Sequence, residues 1–189
     1  MPTGSSSAAP YGHREGAGPA AGKRGGGGEV VSGLPAARKD RKVTHSRISV
    51  SVEAAAGPQQ VFSVLTDWPR HGEWMVLTRA HVAAGDGRSP GSRLAAFTGV
   101  GPVGFLDTME ITEWDPPTTV AVRHTGRLVR GTGVFRVLPR EGGGSTIVWE
   151  EELDLPFGPI GRLGWPLVRP ANAALFRLSL RRLAELSGR

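Results

Sequence analysis

The stretch VRGTGVFRVLPREGGGSTIVWEEELDL, residues 129–155, decides the fold. Val129–Leu138 and Ser145–Leu155 are rich in β-branched and aromatic residues, and Pro139–Gly144 between them is a reversal of proline, charge and glycine. Two extended runs joined by so short a turn pair antiparallel. In the second run Ile147, Trp149, Glu151, Leu153 and Leu155 share a face, which is read as the inner one; Glu150 and Glu152 face outward. The register that sets Trp149 against Phe135 sets Glu151 against Gly133.

The same grammar repeats upstream. Gly104–Trp114 and Thr118–Thr125 flank Asp115-Pro116-Pro117, and Val76–Ala84 and Ser92–Thr98 flank the turn-rich GDGRSPG at 85–91. Consecutive strands with short turns make an antiparallel meander, unlike the strand–helix alternation of a parallel sheet. Ahead of it SRISVSVEA (46–54) alternates, with Ile48, Val50 and Val52 on one face. In GPQQVFSVL (57–65) Pro58 suits a first helical turn, and Asp67 is placed to cap a second short helix with Pro69 in its first turn and Trp74 near its end. Downstream, ANAALFRLSLRRLAEL (171–186) brings Leu175, Phe176, Ser179, Leu180 and Leu183 together at helical spacing. Pro166 and Pro170 each remove a helical hydrogen bond, so the chain is expected to reach this helix through a kinked or broken segment.

Composition narrows the function classes. The absence of cysteine excludes disulfides, thiolate metal sites and a cysteine nucleophile. No apolar run is long enough to span a membrane and the N-terminal residues have no secretory apolar core, so a cytoplasmic location is expected. Of the net charge of +6, about +4 lies in residues 1–42, a Gly/Ala/Ser/Pro-rich segment expected to be a disordered tail before a domain at 43–189. No basic face with interleaved aromatics appears, so nucleic-acid binding has no strong signal. The histidines at 13, 45, 71, 81 and 124 show no ligand spacing, no metal or other cofactor is expected, and neither a Gly-x-Ser-x-Gly elbow nor a dinucleotide fingerprint is present. Asp67, His71 and Glu73 cluster on the second short helix, where a solvated helix end accounts for them.

The element order, with PQQVFSVLTDWPRHGEWM, GTGVFRVLP, STIVWEEELDLP and GRLGWPLVRPANAALFRLSLRRLAEL, resembles the SRPBCC superfamily, in its polyketide cyclase/dehydrase-like branch, over about residues 45–187. The resemblance implies an α+β helix-grip fold: a curved antiparallel sheet of six to seven strands around a long C-terminal helix, with two short helices after the first strand. It also implies a deep pocket between sheet and helix; members bind lipids, polyketides, plant hormones or isoprenoid quinones, and only some are enzymes.

Alternation assigns the wall of such a pocket. Pairing across Asp115-Pro116-Pro117 sets Ile111 opposite Val122 and Met109 opposite His124, giving an apolar surface of Phe105, Met109, Ile111, Val122, Phe135 and Trp149. Trp74, Phe97, Leu163, Trp165 and Leu175 are candidates to extend it, and Asp107, His124 and Glu151 interrupt it. Phe105, Asp107, Met109, Ile111 and Glu113 are read as the inner face of their strand, with Trp114 outside, while Gly131 and Gly133 leave open volume beside the polar groups.

An apolar pocket with few convergent polar groups fits a binding or carrier protein for a small hydrophobic metabolite. The alternative is a polyketide cyclase/dehydratase-like enzyme with His124 and Glu151 as its acid/base pair. A further alternative is an interaction module whose basic tail contacts an anionic partner.

Overall fold

The structure is a computed structural model that describes residues 45–154 and 158–189, with side chains from Ser46 to Asp154 and from Pro166 onward. The expected disordered tail at 1–42 lies outside the described residues, as do Leu155 and the side chains of Leu163 and Trp165.

Strand β1 (His45–Ala54) buries Ile48 and Val50 and exposes Ser49 and Ser51, as its alternation requires. Each such burial contributes about 1.5–3 kcal/mol. Helix α1 (Pro58–Leu65) starts at its proline; Gln60 accepts the Gly57 N–H at 3.3 Å, and Val61, Phe62 and Leu65 are buried. The second short helix is a 3-10 helix, Trp68–Glu73. Asp67 precedes it without making a side-chain cap, and its carboxylate lies 3.9 Å from Arg70 instead.

The meander follows as β2 (Thr78–Ala84), β3 (Arg93–Val100), β4 (Val103–Asp115), β5 (Thr119–His124), β6 (Gly131–Pro139) and β7 (Ser145–Asp154). They form one antiparallel seven-stranded sheet in the order β1-β7-β6-β5-β4-β3-β2. The last helix, α2 (Gly158–Ser187), buries Ser179, Leu180 and Leu183 and completes the α+β helix-grip arrangement.

The registers Ile111↔Val122, Met109↔His124, Phe135↔Trp149 and Gly133↔Glu151 are those the apolar alternation predicts. Two local features depart from it. A β-bulge shifts the register between Ile111 and Glu113, so that Trp114 pairs with Val120 and packs edge-on against Phe62 at 5.4 Å. The extra residue turns Trp114 toward the core, and Glu113 therefore does not continue the inner row.

The second departure is in α2, which is continuous from Gly158 to Ser187 with Pro166 and Pro170 inside it. The expected break is absent. Each proline withholds one N–H, and residues 166–171 are exposed, so the carbonyl that Pro170 leaves without a donor can be satisfied by water.

Candidate functional site

The concave face of the sheet encloses, with α2, a cavity of about 340 Å³. Phe105, Met109, Val122, Phe135 and Trp149 line it from the strands, and Leu175 from α2. Phe176 of α2 stacks on Trp149 at 3.8 Å and Trp149 on Phe135 at 4.8 Å, a continuous aromatic column that ties helix to sheet.

Three residues expected in the wall stand elsewhere. Trp74 is buried behind it, because His71 (ring centroids 4.3 Å away) and Phe135 (6.1 Å) occupy the positions nearer the cavity. Ile111 is fully buried in the continuous core, one pleat beyond Met109. Phe97 points to the other face of β3, since Leu94, Ala96 and Thr98 take the cavity side; its ring lies over Gly104, where a Cβ would stand 2.6 Å from it.

His71 is in the wall as well, only 4% exposed, which corrects its reading as part of a solvated helix end. Burial pushes its pKa down to about 4, against a weaker opposing hydrogen bond to the Leu65 backbone, so the ring is neutral. Its Nδ1 has no hydrogen-bond partner among the described residues. A lone histidine between Arg70 and Glu73, which pair with each other at the surface, carried no sequence signal of burial. The small lining residues Ala80 and Ala96 were equally silent.

The polar groups of the wall form one buried chain. His124 Nδ1 lies 2.7 Å from Asp107 Oδ2 and Nε2 lies 3.1 Å from Glu151 Oε2, while Trp149 Nε1 donates to Glu151 Oε1 at 2.8 Å. The three side chains of the ion cluster are each less than a tenth exposed. Asp107 is therefore not a solvated group at the cavity mouth, although its Oδ1 has no partner among the described residues.

Strand chemistry explains how these groups meet. His124 on β5 and Glu151 on β7 are separated by β6, a gap of about 9–10 Å between strand axes. Beside them β6 presents only Gly131 and Gly133. A Cβ on Gly133 would stand 2.7 Å from Glu151 Oε1, so the carboxylate fills the space this glycine vacates. Gly131 has φ +131°, and a Cβ there would stand 1.9 Å from the Glu152 carbonyl oxygen. The glycines thus admit a carboxylate and a backbone carbonyl, and do not leave the open volume expected of them. Glu150, one residue earlier on the opposite face, pairs with Arg136 and with Arg47.

Desolvation alone would lower the His124 pKa. The hydrogen bonds to Asp107 and Glu151, with the attraction of both charges, outweigh it and raise the pKa to about 10. At neutral pH the ring is an imidazolium with both N–H groups held by carboxylates, so neither nitrogen is free to take a proton from a substrate.

No curated protein matches the chain. Solved structures share its fold. TTHA0849 from Thermus thermophilus is 19% identical with a TM-score of 0.64, over 75% of this chain and 97% of that one. The aromatase/cyclase Zhui from Streptomyces sp. R1128 is 16% identical with a TM-score of 0.60, over 76% and 94%. The di-domain ARO/CYC StfQ of the steffimycin biosynthetic pathway is 12% identical with a TM-score of 0.62, over 78% of this chain and 52% of that one. At such identities the likeness is one of fold. Residues 45–188 match the family described as polyketide cyclase / dehydrase and lipid transport, and the chain belongs to that family.

Proposed function

We propose that this chain is a binding or carrier protein that holds a small, largely apolar molecule in the cavity between its sheet and α2. The observation that carries the reading is a cavity of about 340 Å³ whose lining is mostly aliphatic and aromatic and whose charged groups pair with one another, Asp107 Oδ1 being left without a partner among the described residues. That volume is at the lower end of the roughly 300–1,000 Å³ of small-molecule sites. A ligand entering it removes apolar surface from water without first having to break the ion cluster. Native mass spectrometry after gentle purification, with displacement of an apolar dye, tests this. A mass increment or saturable dye binding is expected; a cavity neither occupied nor occupiable ends the proposal.

One observation favours a second reading, the cyclase-like enzyme: a buried cluster of two carboxylates and an imidazolium is a costly thing to place in an apolar wall. In that reading a ketone substrate displaces one carboxylate from His124, and the freed carboxylate acts as base. His124→Ala and Glu151→Gln would then abolish turnover while ligand affinity largely survives. Parallel loss of both favours the carrier.

A further inference from the structure

The two ends of the sheet differ in chemistry. At one end lie the connections Gly85–Gly91, Asp115–Thr118 and Arg140–Gly144, each with an acidic residue, Asp86, Asp115 and Glu141, and the first and third also with an arginine, Arg88 and Arg140. At the other end lie Trp74–Leu77, the β3–β4 turn Val100–Val103 and the β5–β6 loop Thr125–Arg130, none with an acidic residue; the end of β7 beside that loop carries Glu152 and Asp154, each with an interaction of its own. The loop at 125–130 carries Arg127 and Arg130.

Exposed aliphatic side chains follow the same division. Outside α2, Val103 (77% exposed), Val100 (69%), Leu128 (59%), Leu106 (57%) and Leu77 (50%) all stand at the second end, and among the described residues Leu138 alone stands at the first. Leu77 is held outward at φ +60°, a left-handed conformation that is costly for a branched side chain. This end is also where the cavity reaches the surface. Leu77 and Leu175 line it while being half-exposed, and Val129, the neighbour of Leu128, lines it too. Arg127, Arg130 and Arg177 are exposed around it, with no ion pair among the described residues.

We propose that this end docks on an anionic lipid bilayer, the tips at Leu77, Val100, Val103 and Leu128 entering the interface and Arg127 and Arg130 facing the headgroups. The cavity mouth then faces the bilayer, and an apolar ligand passes between the two without crossing water. The pattern of separate, protruding apolar tips with cations between them suits insertion into a fluid phase. A folded acidic protein would instead need one continuous complementary patch. The docking goes beyond the carrier reading, and only its purpose rests on that reading.

Co-sedimentation of the full chain with vesicles of phosphatidylcholine, alone or with phosphatidylglycerol, tests the docking. Salt-sensitive binding to the phosphatidylglycerol vesicles is expected. Val100→Asp with Val103→Asp, and separately Arg127→Glu with Arg130→Glu, should weaken it at least about tenfold, whereas Leu138→Asp at the opposite end should leave it unchanged. Undiminished binding of the Val100/Val103 variant overturns the proposal; if the Arg127/Arg130 variant also binds undiminished, the adhesion belongs to the basic residues before position 43. Failure of the parent chain to bind overturns it too and leaves an acidic protein as the occupant to seek. Dye binding in the cavity, measured on the same samples, judges the carrier reading separately: the tip variants should retain it.

Discussion

His124 keeps a proton between Asp107 and Glu151, and that arrangement fixes how the protein responds to pH. A folded-state pKa near 10 against an ordinary value of 6.5 means that the folded chain binds a proton more tightly than the unfolded one. The resulting stability is fully present below about pH 6.5 and is lost as pH rises toward about 10. His71 acts in the other direction: burial holds it neutral, and its contribution falls as pH drops from 6.5 toward about 4. Denaturant unfolding from pH 5 to 10 should therefore show an alkaline limb set by His124 and an acid limb to which His71 contributes. His124→Ala leaves two buried carboxylates facing each other without a cation, which should cost about 3–5 kcal/mol at pH 7. The alkaline limb should flatten in that variant while the His71 limb remains. An unchanged alkaline limb would mean that the imidazolium is not the titrating group. His124 and Glu151 were legible in the sequence as inner-face polar residues, because period-2 alternation fixes a face. Their mutual charge state was not, because it depends on the third partner, Asp107, meeting the ring from a neighbouring strand.

At the scale of the element, β6 is the strand that lets the cluster exist. Its turn-flanked pattern made it visible in the sequence, and its register with β7 followed from pairing Phe135 with Trp149. What the pattern hid was the use of its glycines, since a missing side chain reads equally as space and as room for a neighbour. Gly133→Ala decides between these. The new Cβ would lie 2.7 Å from Glu151 Oε1 and 3.2 Å from Oε2, so the carboxylate must swing away from His124 or from Trp149. A loss of about 1–3 kcal/mol is expected for the buried group left without its partner, together with a fall in the His124 pKa followed by NMR titration of the ring. A neutral substitution with an unmoved titration would show that β6 has slack to spare. The continuity of α2 through Pro166 and Pro170 and the bulge beyond Ile111 escaped the sequence for a related reason. Both depend on tertiary support, which local propensity does not encode.

Over the whole molecule, the strands bring large side chains to the cavity from β6 and β7 at Phe135 and Trp149 and small ones from β2 and β3 at Ala80 and Ala96. The cavity exists because that second group is small. Its position between sheet and helix followed from alternation, but its size did not, since an inward alanine reads as ordinary core until its neighbours are known. Ala96 pairs with Ala80 on one side and Asp107 on the other, all facing the cavity. Ala96→Leu adds three carbons where there is void, so the usual penalty of overpacking a filled core, about 1–3 kcal/mol, should not apply. Filling an apolar void recovers contacts and transfer energy, so the ligand-free melting temperature should hold or rise. The same atoms take volume from a cavity of only about 340 Å³, so dye affinity should fall roughly tenfold or more. Thermal melts with and without dye separate the outcomes. A stable protein that no longer gains from dye places the binding volume in this cavity. A variant that still binds dye as the parent does would move the binding site elsewhere on the molecule, and the carrier reading with it.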